Sequence, residues 1–514
     1  RVLQTAALLG KWATAERIQA VLEYSASDFL GIIVALENDG MFSASRSGDI
    51  RCHELMAAAA LARLRSLSLA ALQRRIGHAL EIEIDRDAND GLLLKAIEHL
   101  WQAGETRRLL RLCERRSKYL SSWSQPIEIL RHLVSIDVAS ISVADSITRG
   151  NLCSRLRVEC GLYGAEIAAR GGSAGLPRAS ARISTAQAEA GLSIVDSSYR
   201  ADFNADRDRL ADYTISIARL THLPSPVRLR AAGIGFVILS NLCDDARAHA
   251  LWNALERKRA TESFEYERVA VLYHTIFGDL DQATELATRL LHQAVQHPDS
   301  LLAPADALRA GFALRIASPD FEHLKAFEYA FTSAQALTLP AYSINAAWQL
   351  AQCYLDLGQH SQFEYWIKIL QQLHEMDSDR LSSSFVPALL CRRAIADGHQ
   401  VAASAYYEAF SAANPTKPTI RTQSHAVALR LAIELIDTAW TPRPRQVAEI
   451  CEAAEGVLRF GSVDFLASVW VRVLARTSPT TAAAQLTRYL AELRRDRGVP
   501  SLAISELTRT TNPS

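Results

Sequence analysis

The triplet Cys52-His53-Glu54 sets a thiol, an imidazole and a carboxylate side by side, between a short β-like run and an alanine-rich helix start within "DIRCHELMAAAALARL". These are side chains that ligate zinc or move protons. A zinc-protease reading of His-Glu needs a second histidine four residues on, so that both imidazoles share one helix face. Position 57 is Ala57, and that chemistry fails. The eight cysteines, Cys52, Cys113, Cys153, Cys160, Cys243, Cys353, Cys391 and Cys451, show no Cys-x-x-Cys spacing. They support neither a zinc knuckle nor a disulfide framework and read as buried thiols.

Other stretches invite chemistry and fail its requirements. "RGGSAGLPRAS" at 170–180 is glycine-rich, but a phosphate loop needs Gly-x-x-x-x-Gly-Lys-Ser/Thr and no lysine follows these glycines. Arg107, Arg111, Arg115 and Lys118 fall on one helical stripe that could meet phosphates. Arg108, Glu114 and Arg116 surround them, as on a solvated helix face. Trp348, Tyr354, Phe363, Tyr365 and Trp366 recur at helix-seam spacing, where core packing explains them better than a ligand box. No Gly-x-Ser-x-Gly elbow, kinase signature set or dinucleotide fingerprint is present, so this segment is expected to be no enzyme.

What must position these residues is a chain of 514 residues, 49% hydrophobic and 22% charged: a folded protein of several domains or a repeat array. Lys plus Arg equals Asp plus Glu at 56 each, which removes the global positive field of a typical nucleic-acid binder. No apolar run has transmembrane length, and the opening "RVLQTAALLGKWATAERI" reads as an amphipathic helix without a signal cleavage site. A cytoplasmic location without membrane contact is expected. The chain opens at Arg1 inside that helical pattern, which suggests a longer polypeptide upstream.

Residues 2–9, 13–23 and 27–38 show helical spacing, with Ser27 placed to cap the third helix and Gly40 to end it. "MFSASRS" and "IRCHE" flank Gly48-Asp49 as a tight hairpin. Three helices and a hairpin predict a winged helix over 1–65. Its third helix, "SDFLGIIVALEND", carries Asp28, Glu37 and Asp39 with no Lys or Arg, so a polyanion is repelled and no direct nucleic-acid binding is expected.

Beyond residue 90, "AIEHLWQAGETRRLLRLCERRSKYL" reads as helix, Gly104 break, helix. Gly278, Ser318, Gly358 and Gly398 mark the same break every 40 residues. Five positions after it stand Ala283, His323, Phe363 and Ala403, and nine after it Ala287, Phe327, Ile367 and Tyr407. Four before it stand His274, Leu314, Tyr354 and Ala394, as expected for stacked helix pairs. The predicted organisation is all-α apart from the hairpin: winged helix 1–65, helical linker with irregular hairpins 66–230, repeats 231–411, and C-terminal helical repeats with a cap 412–514. "NPTKP" at 414–418 and "TPRPR" at 441–445 read as loops.

The stretch from Arg1 to Leu64 resembles the winged-helix segment that follows the nucleotide-binding domain in STAND signalling ATPases, which include maltose-regulator-like activators and NB-ARC proteins. "AAWQLAQCYLDLGQHSQFEYWIKILQQL" resembles a tetratricopeptide repeat, with Phe363 where alanine is the family residue. In that family a Met-His-Asp-like motif at the wing-to-helix junction contacts the ADP phosphate. Cys52-His53-Glu54 matches it at His53 and conservatively at Glu54. The chemistry is sound, because a helix N-terminus offers free N–H groups and a positive dipole end, to which an imidazole adds a donor. The other reading is that His53 satisfies backbone groups at the junction.

The resemblance implies the sensor region of an ATP-dependent signalling protein, a transcriptional regulator. A protein or small-molecule inducer would sit on the superhelix. ATP or ADP would be held by an upstream nucleotide-binding domain in the same chain, with self-association on activation and no cofactor in this segment. "LTRYLAELRRDRGVPSLAISELTRTTNPS" shows no LuxR-type helix-turn-helix, which leaves the output open. Periodicity alone is equally served by a nucleotide-independent protein-interaction scaffold.

Overall fold

The computed structural model describes residues 1–44, 49–87, 90–117, 125–160, 176–201, 206–256, 264–317, 322–376, 385–413, 420–457 and 464–477, with Leu162 and Ala484. It divides into two compact units, residues 1–156 and 157–514. Among the described residues no helix is long and apolar enough to cross a membrane. Gly48, Lys118, Ser318, 414–418, most of the 170–180 stretch and the tail from 485 lie outside the described residues.

The first unit opens with α1 (Val2–Leu9), α2 (Ala15–Leu22) and α3 (Ala26–Asn38), then the antiparallel pair β1 (Phe42–Ala44) and β2 (Ile50–Cys52). Phe42 faces Cys52 and Ala44 faces Ile50 across the hairpin. Thr14 serves two elements: its hydroxyl accepts from the Arg17 N–H at 3.2 Å to cap α2, and its backbone bridges to Asp49. The Ile50 N–H donates to the Ala13 carbonyl at 2.8 Å, adding a rung beside the hairpin. This is the element order predicted from the sequence. Val2, Leu9, Ile18, Val21, Phe29, Phe42 and Ile50 form its buried interior.

The cap of α3 is a correction. Ser25, not Ser27, accepts from the Asp28 N–H at 3.2 Å and donates to the Asp28 carboxylate at 2.6 Å, a reciprocal N-terminal lock. Gly40 ends the helix as expected, at φ +68° with the Met41 N–H on the Leu36 carbonyl at 2.9 Å.

Six helices follow: α4 (Glu54–Ala62), α5 (Ser66–Asp87), α6 (Leu93–Gln102), α7 (Thr106–Arg116), α8 (Pro126–Ser135) and α9 (Val143–Glu159), in which the division between units falls. At Gly77 on α5 a Cβ would lie 2.7 Å from the Leu100 side chain of α6, so these two helices approach as closely as a missing side chain permits.

The second unit is a succession of antiparallel helix pairs. These are α10 (Thr185–Ala201) with α11 (Arg207–Arg219), α12 (Ser225–Leu242) with α13 (Asp245–Glu256), α14 (Phe264–Ile276) with α15 (Leu280–Gln296), and α16 (Ala303–Ala317) with α17 (Glu322–Ala336). Next come α18 (Pro340–Asp356) with α19 (His360–Met376), α20 (Phe385–Ala396) with α21 (Gln400–Ala413), α22 (Ile420–Glu434) with α23 (Pro444–Val457), and finally α24 (Asp464–Thr477). The fold is an all-α superhelix of hairpins. From α12 to α24 each first helix packs against the next first helix, while second helices from α15 onward pack mainly on first helices. The first helices therefore make the inner layer.

The 40-residue register is real packing. Ala283, His323, Phe363 and Ala403 are buried, as are Ala287, Phe327, Ile367, His274, Leu314, Tyr354 and Ala394. Gly358 and Gly398 take φ +66° and +74°, and the following N–H reaches the carbonyl five residues back, Gln359 to Tyr354 at 2.9 Å and His399 to Ala394 at 2.8 Å. Thr338 and Cys243 make the same stop at φ +57° and +54°, with Leu339 to Ala334 at 2.8 Å and Asp244 to Leu239 at 3.1 Å. These two non-glycine stops are invisible to a reading that looks for glycine.

Candidate functional site

At the junction, β2 ends at Cys52 and α4 begins at Glu54, so His53 occupies the N-cap position with extended backbone, φ −63° and ψ 136°. Its Nδ1 accepts from the Leu55 N–H at 3.3 Å, and its carbonyl accepts from the Ala57 N–H at 2.9 Å. The imidazole thus does what Ser or Asp does at most helix starts, taking up one of the free N–H groups. A neutral ring accepting at Nδ1 carries its hydrogen on Nε2. The residue is exposed, which leaves that edge open to solvent.

The neighbours do not complete a metal site. Cys52 is half-buried, its thiol 3.9 Å from the Met41 carbonyl, and burial raises it above the ordinary thiol value, away from the thiolate that metals need. Glu54 is exposed in the first turn of α4, where a carboxylate complements the dipole. Among the described residues no three His, Cys, Asp or Glu side chains stand close enough to hold a metal.

The stripe on α7 is a solvated face as expected, with Arg107, Arg111 and Arg115 all exposed, and it also carries ion pairs to α5. Arg115 donates to Glu81 at 2.7 Å and to Asp85 at 3.0 Å, and Arg108 pairs with the other oxygen of Glu81, a buried carboxylate on α5. Arg116 is buried, whereas Arg107 and Arg111 are exposed. Arg108 and Arg115 brace α7 against α5, with partners that helical spacing alone does not reveal. On α6 the buried His99 donates from Nδ1 to the Gln73 side-chain oxygen, and burial, with Lys95 nearby, pushes it down to about 3.

Among the described ion pairs of the second unit, those on α14, α16, α18 and α20 are the most deeply buried. Arg268 of α14 clasps Asp306 of α16 with contacts of 2.7 and 2.9 Å, and Arg309 adds a third at 2.9 Å. Arg315 of α16 donates to Asp356 of α18 at 2.6 Å and to Gln349 at 3.1 Å. Arg392 of α20 takes the other oxygen of Asp356 while its guanidinium lies 4.7 Å over the Phe465 ring of α24. Sequence reasoning missed this set. Its signal was a lone charge inside apolar text, as in "CYLDL" and "LLCRRAIA".

The aromatic stretch packs as expected at four of its five positions. Trp348 stacks on Phe385 at 4.4 Å, Trp366 meets Phe331 edge-on at 5.0 Å, Phe363 is buried, and the buried Tyr354 donates to Glu328 at 3.1 Å. Tyr365 is the exception, 56% exposed.

No family pattern and no characterised protein matches the sequence. Among solved structures the chain is similar to a Signal Transduction ATPase with Numerous Domains (STAND) protein with a tetratricopeptide repeat sensor from Pyrococcus horikoshii, at 11% identity and a TM-score of 0.27, over 99% of this chain and 65% of that one. The chain therefore spans slightly less than two thirds of that protein's length.

Proposed function

We propose that this chain is the regulatory and sensing part of a STAND-type, ATP-dependent signalling protein that controls transcription. The observation that carries the reading is His53: it caps α4 through Nδ1 and keeps its other edge exposed, as a ring must if it is to hold its helix end and still donate to a phosphate. In this reading residues 1–65 act as a winged helix, and an upstream nucleotide-binding domain presents ADP to His53. An inducer, protein or small molecule, binds the inner layer of first helices. Inducer binding favours the state in which the winged helix leaves the nucleotide, ADP exchanges for ATP, and the protein self-associates. ATP chemistry belongs to the upstream domain, and this segment supplies no catalytic group.

The test is ADP retention by the intact protein. His53→Ala is expected to shorten the lifetime of bound ADP and raise basal output; unchanged retention with unchanged output removes the nucleotide link. The second reading, a nucleotide-independent scaffold, is favoured by the hairpin stack taken alone. It predicts that partner capture by the intact protein ignores nucleotide.

A further inference from the structure

Helix α5 carries two carboxylates that point away from each other. Glu81 and Glu83 are two residues apart, which turns their side chains by roughly 200° around the helix. Glu83 holds α2: Arg17 donates to it from Nε at 2.9 Å and from Nη2 at 2.7 Å, and the Nη1 of Arg17 donates to the Trp12 carbonyl at 2.9 Å. The Arg17 and Glu83 side chains are 17% and 18% exposed, so this fork lies largely out of water and fixes direction as well as distance. An outer pair, Arg75 with Glu23 at 3.5 Å, joins α5 to the end of α2.

Glu81 faces the other way and holds α7. Its buried carboxylate accepts from Arg115 at 2.7 Å and pairs with Arg108 through its other oxygen, and Arg115 also reaches Asp85 at 3.0 Å. One turn back, Gly77 lets α6 approach, since a Cβ there would lie 2.7 Å from the Leu100 side chain. Helices α2 and α7 therefore grip one turn of α5 from different sides, through directional charge-assisted contacts that weaken steeply when bent. We propose that the Glu81–Glu83 turn of α5 is a coupling joint that makes α2 and α7, with the elements packed on each, move as one body.

The joint gives a displacement a route. A shift of α7 reaches α2 through two sets of ion pairs on one rigid helical turn rather than through a flexible connection. Its consequence for regulation rests on the sensor reading: the N-terminal elements do not leave a nucleotide alone but carry α5, α6 and α7 with them. The two fail separately. The joint is read in the chain without nucleotide, so unchanged ADP retention in His53→Ala leaves it standing, and separate movement of α2 and α7 leaves the role of His53 untouched.

The experiment is native-state hydrogen exchange of the whole chain, read by mass spectrometry on peptides from α2, α5 and α7 across low denaturant concentrations. One shared opening event is expected for all three in the parent chain. Glu83→Gln keeps the shape and removes the charge, and is expected to speed exchange in α2 by about tenfold or more while α7 keeps the parent rate. Glu81→Gln is expected to speed α7 and spare α2. Arg17→Lys keeps the charge without the fork and is expected to fall between the parent and Glu83→Gln; if the glutamine variants fold poorly, it carries the test by the same criterion. Adding Arg17→Lys to Glu83→Gln is expected to change little, because both disable one contact. Separate opening of α2 and α7 in the parent, or an equal change at both helices in every variant, overturns the coupling joint.

Discussion

The wing-to-helix junction and the inner helix layer hold their elements by opposite means. At the junction one exposed imidazole caps one helix, so the local structure depends on a single neutral hydrogen bond at the surface. In the inner layer, carboxylates on one helix are clamped by arginines from the helices beside it, with most of the charge out of water. The first arrangement costs little to disturb and leaves a donor edge available; the second binds successive hairpins into a unit whose parts cannot be removed singly. Removing one partner from each region is how this contrast is broken.

The largest effect is expected from Asp306→Asn. It removes the buried carboxylate that Arg268 and Arg309 share, and breaking a buried pair costs about 3–5 kcal/mol. Thermal unfolding followed by circular dichroism should show a clear drop in midpoint. A midpoint within error of the parent would mean that the ladder is dispensable and the contrast with the junction is false.

The next effect is a pH dependence carried by His99. The folded protein keeps this ring neutral down to about 3, while the unfolded chain protonates it near the ordinary value of 6.5. Above 6.5 both states are neutral and stability is unaffected. As the pH falls below 6.5 the unfolded state gains the proton first, so stability is lost, by about 2 kcal/mol at pH 5 and progressively more toward pH 3. Burial of the ring, with the Lys95 charge nearby, is the cause, and the buried Nε2 has no hydrogen-bond partner among the described residues. In His99→Gln the slope of stability between pH 6.5 and 5 should flatten; an unchanged slope would assign the acid sensitivity elsewhere.

These predictions also mark what was legible in the sequence. Helix pairs were readable from a 40-residue recurrence because each turn needs a stop and each seam needs a small or apolar residue, and Ala283, Phe327 and Leu314 are buried as that logic requires. The hairpin and the helix it precedes were readable as two short extended runs and an alanine-rich start, but the tight Gly48-Asp49 turn was not the register found: Ala44 pairs with Ile50, so five residues rather than two separate the strands. The cap at Ser25 was misplaced by two residues because Ser25 and Ser27 both precede an apolar run and sequence alone does not say which hydroxyl reaches Asp28. The arginine clusters were illegible for a different reason. Arg108 and Arg115 meet Glu81 from another helix, and Arg392 meets Asp356 across 36 residues, pairings that only the packed layer brings about.

A smaller effect concerns the stops. Thr338 holds a left-handed conformation that costs an ordinary residue about 1 kcal/mol or more and costs glycine nothing. Thr338→Gly should therefore stabilise the α17–α18 turn by up to about 1 kcal/mol, offset in part by the greater freedom of glycine when unfolded. A loss of stability would mean that the threonine side chain contributes more than its backbone strain costs.

The smallest effect on stability, and the sharpest test of the junction, comes from His53. His53→Ala removes the acceptor for the Leu55 N–H, and a lost cap costs about 0.5–2 kcal/mol, with an exposed helix end at the low side. His53→Asn restores a side-chain acceptor at the same position but alters what is presented outward in place of the Nε2 edge. If His53 is only a cap, Asn recovers both the melting temperature and every property of the intact protein. If it also donates to phosphate, Asn recovers the melting temperature while ADP retention stays impaired. The two variants thus separate a histidine that closes a helix from one that closes a helix and reads a nucleotide, and the difference rests on one ring nitrogen.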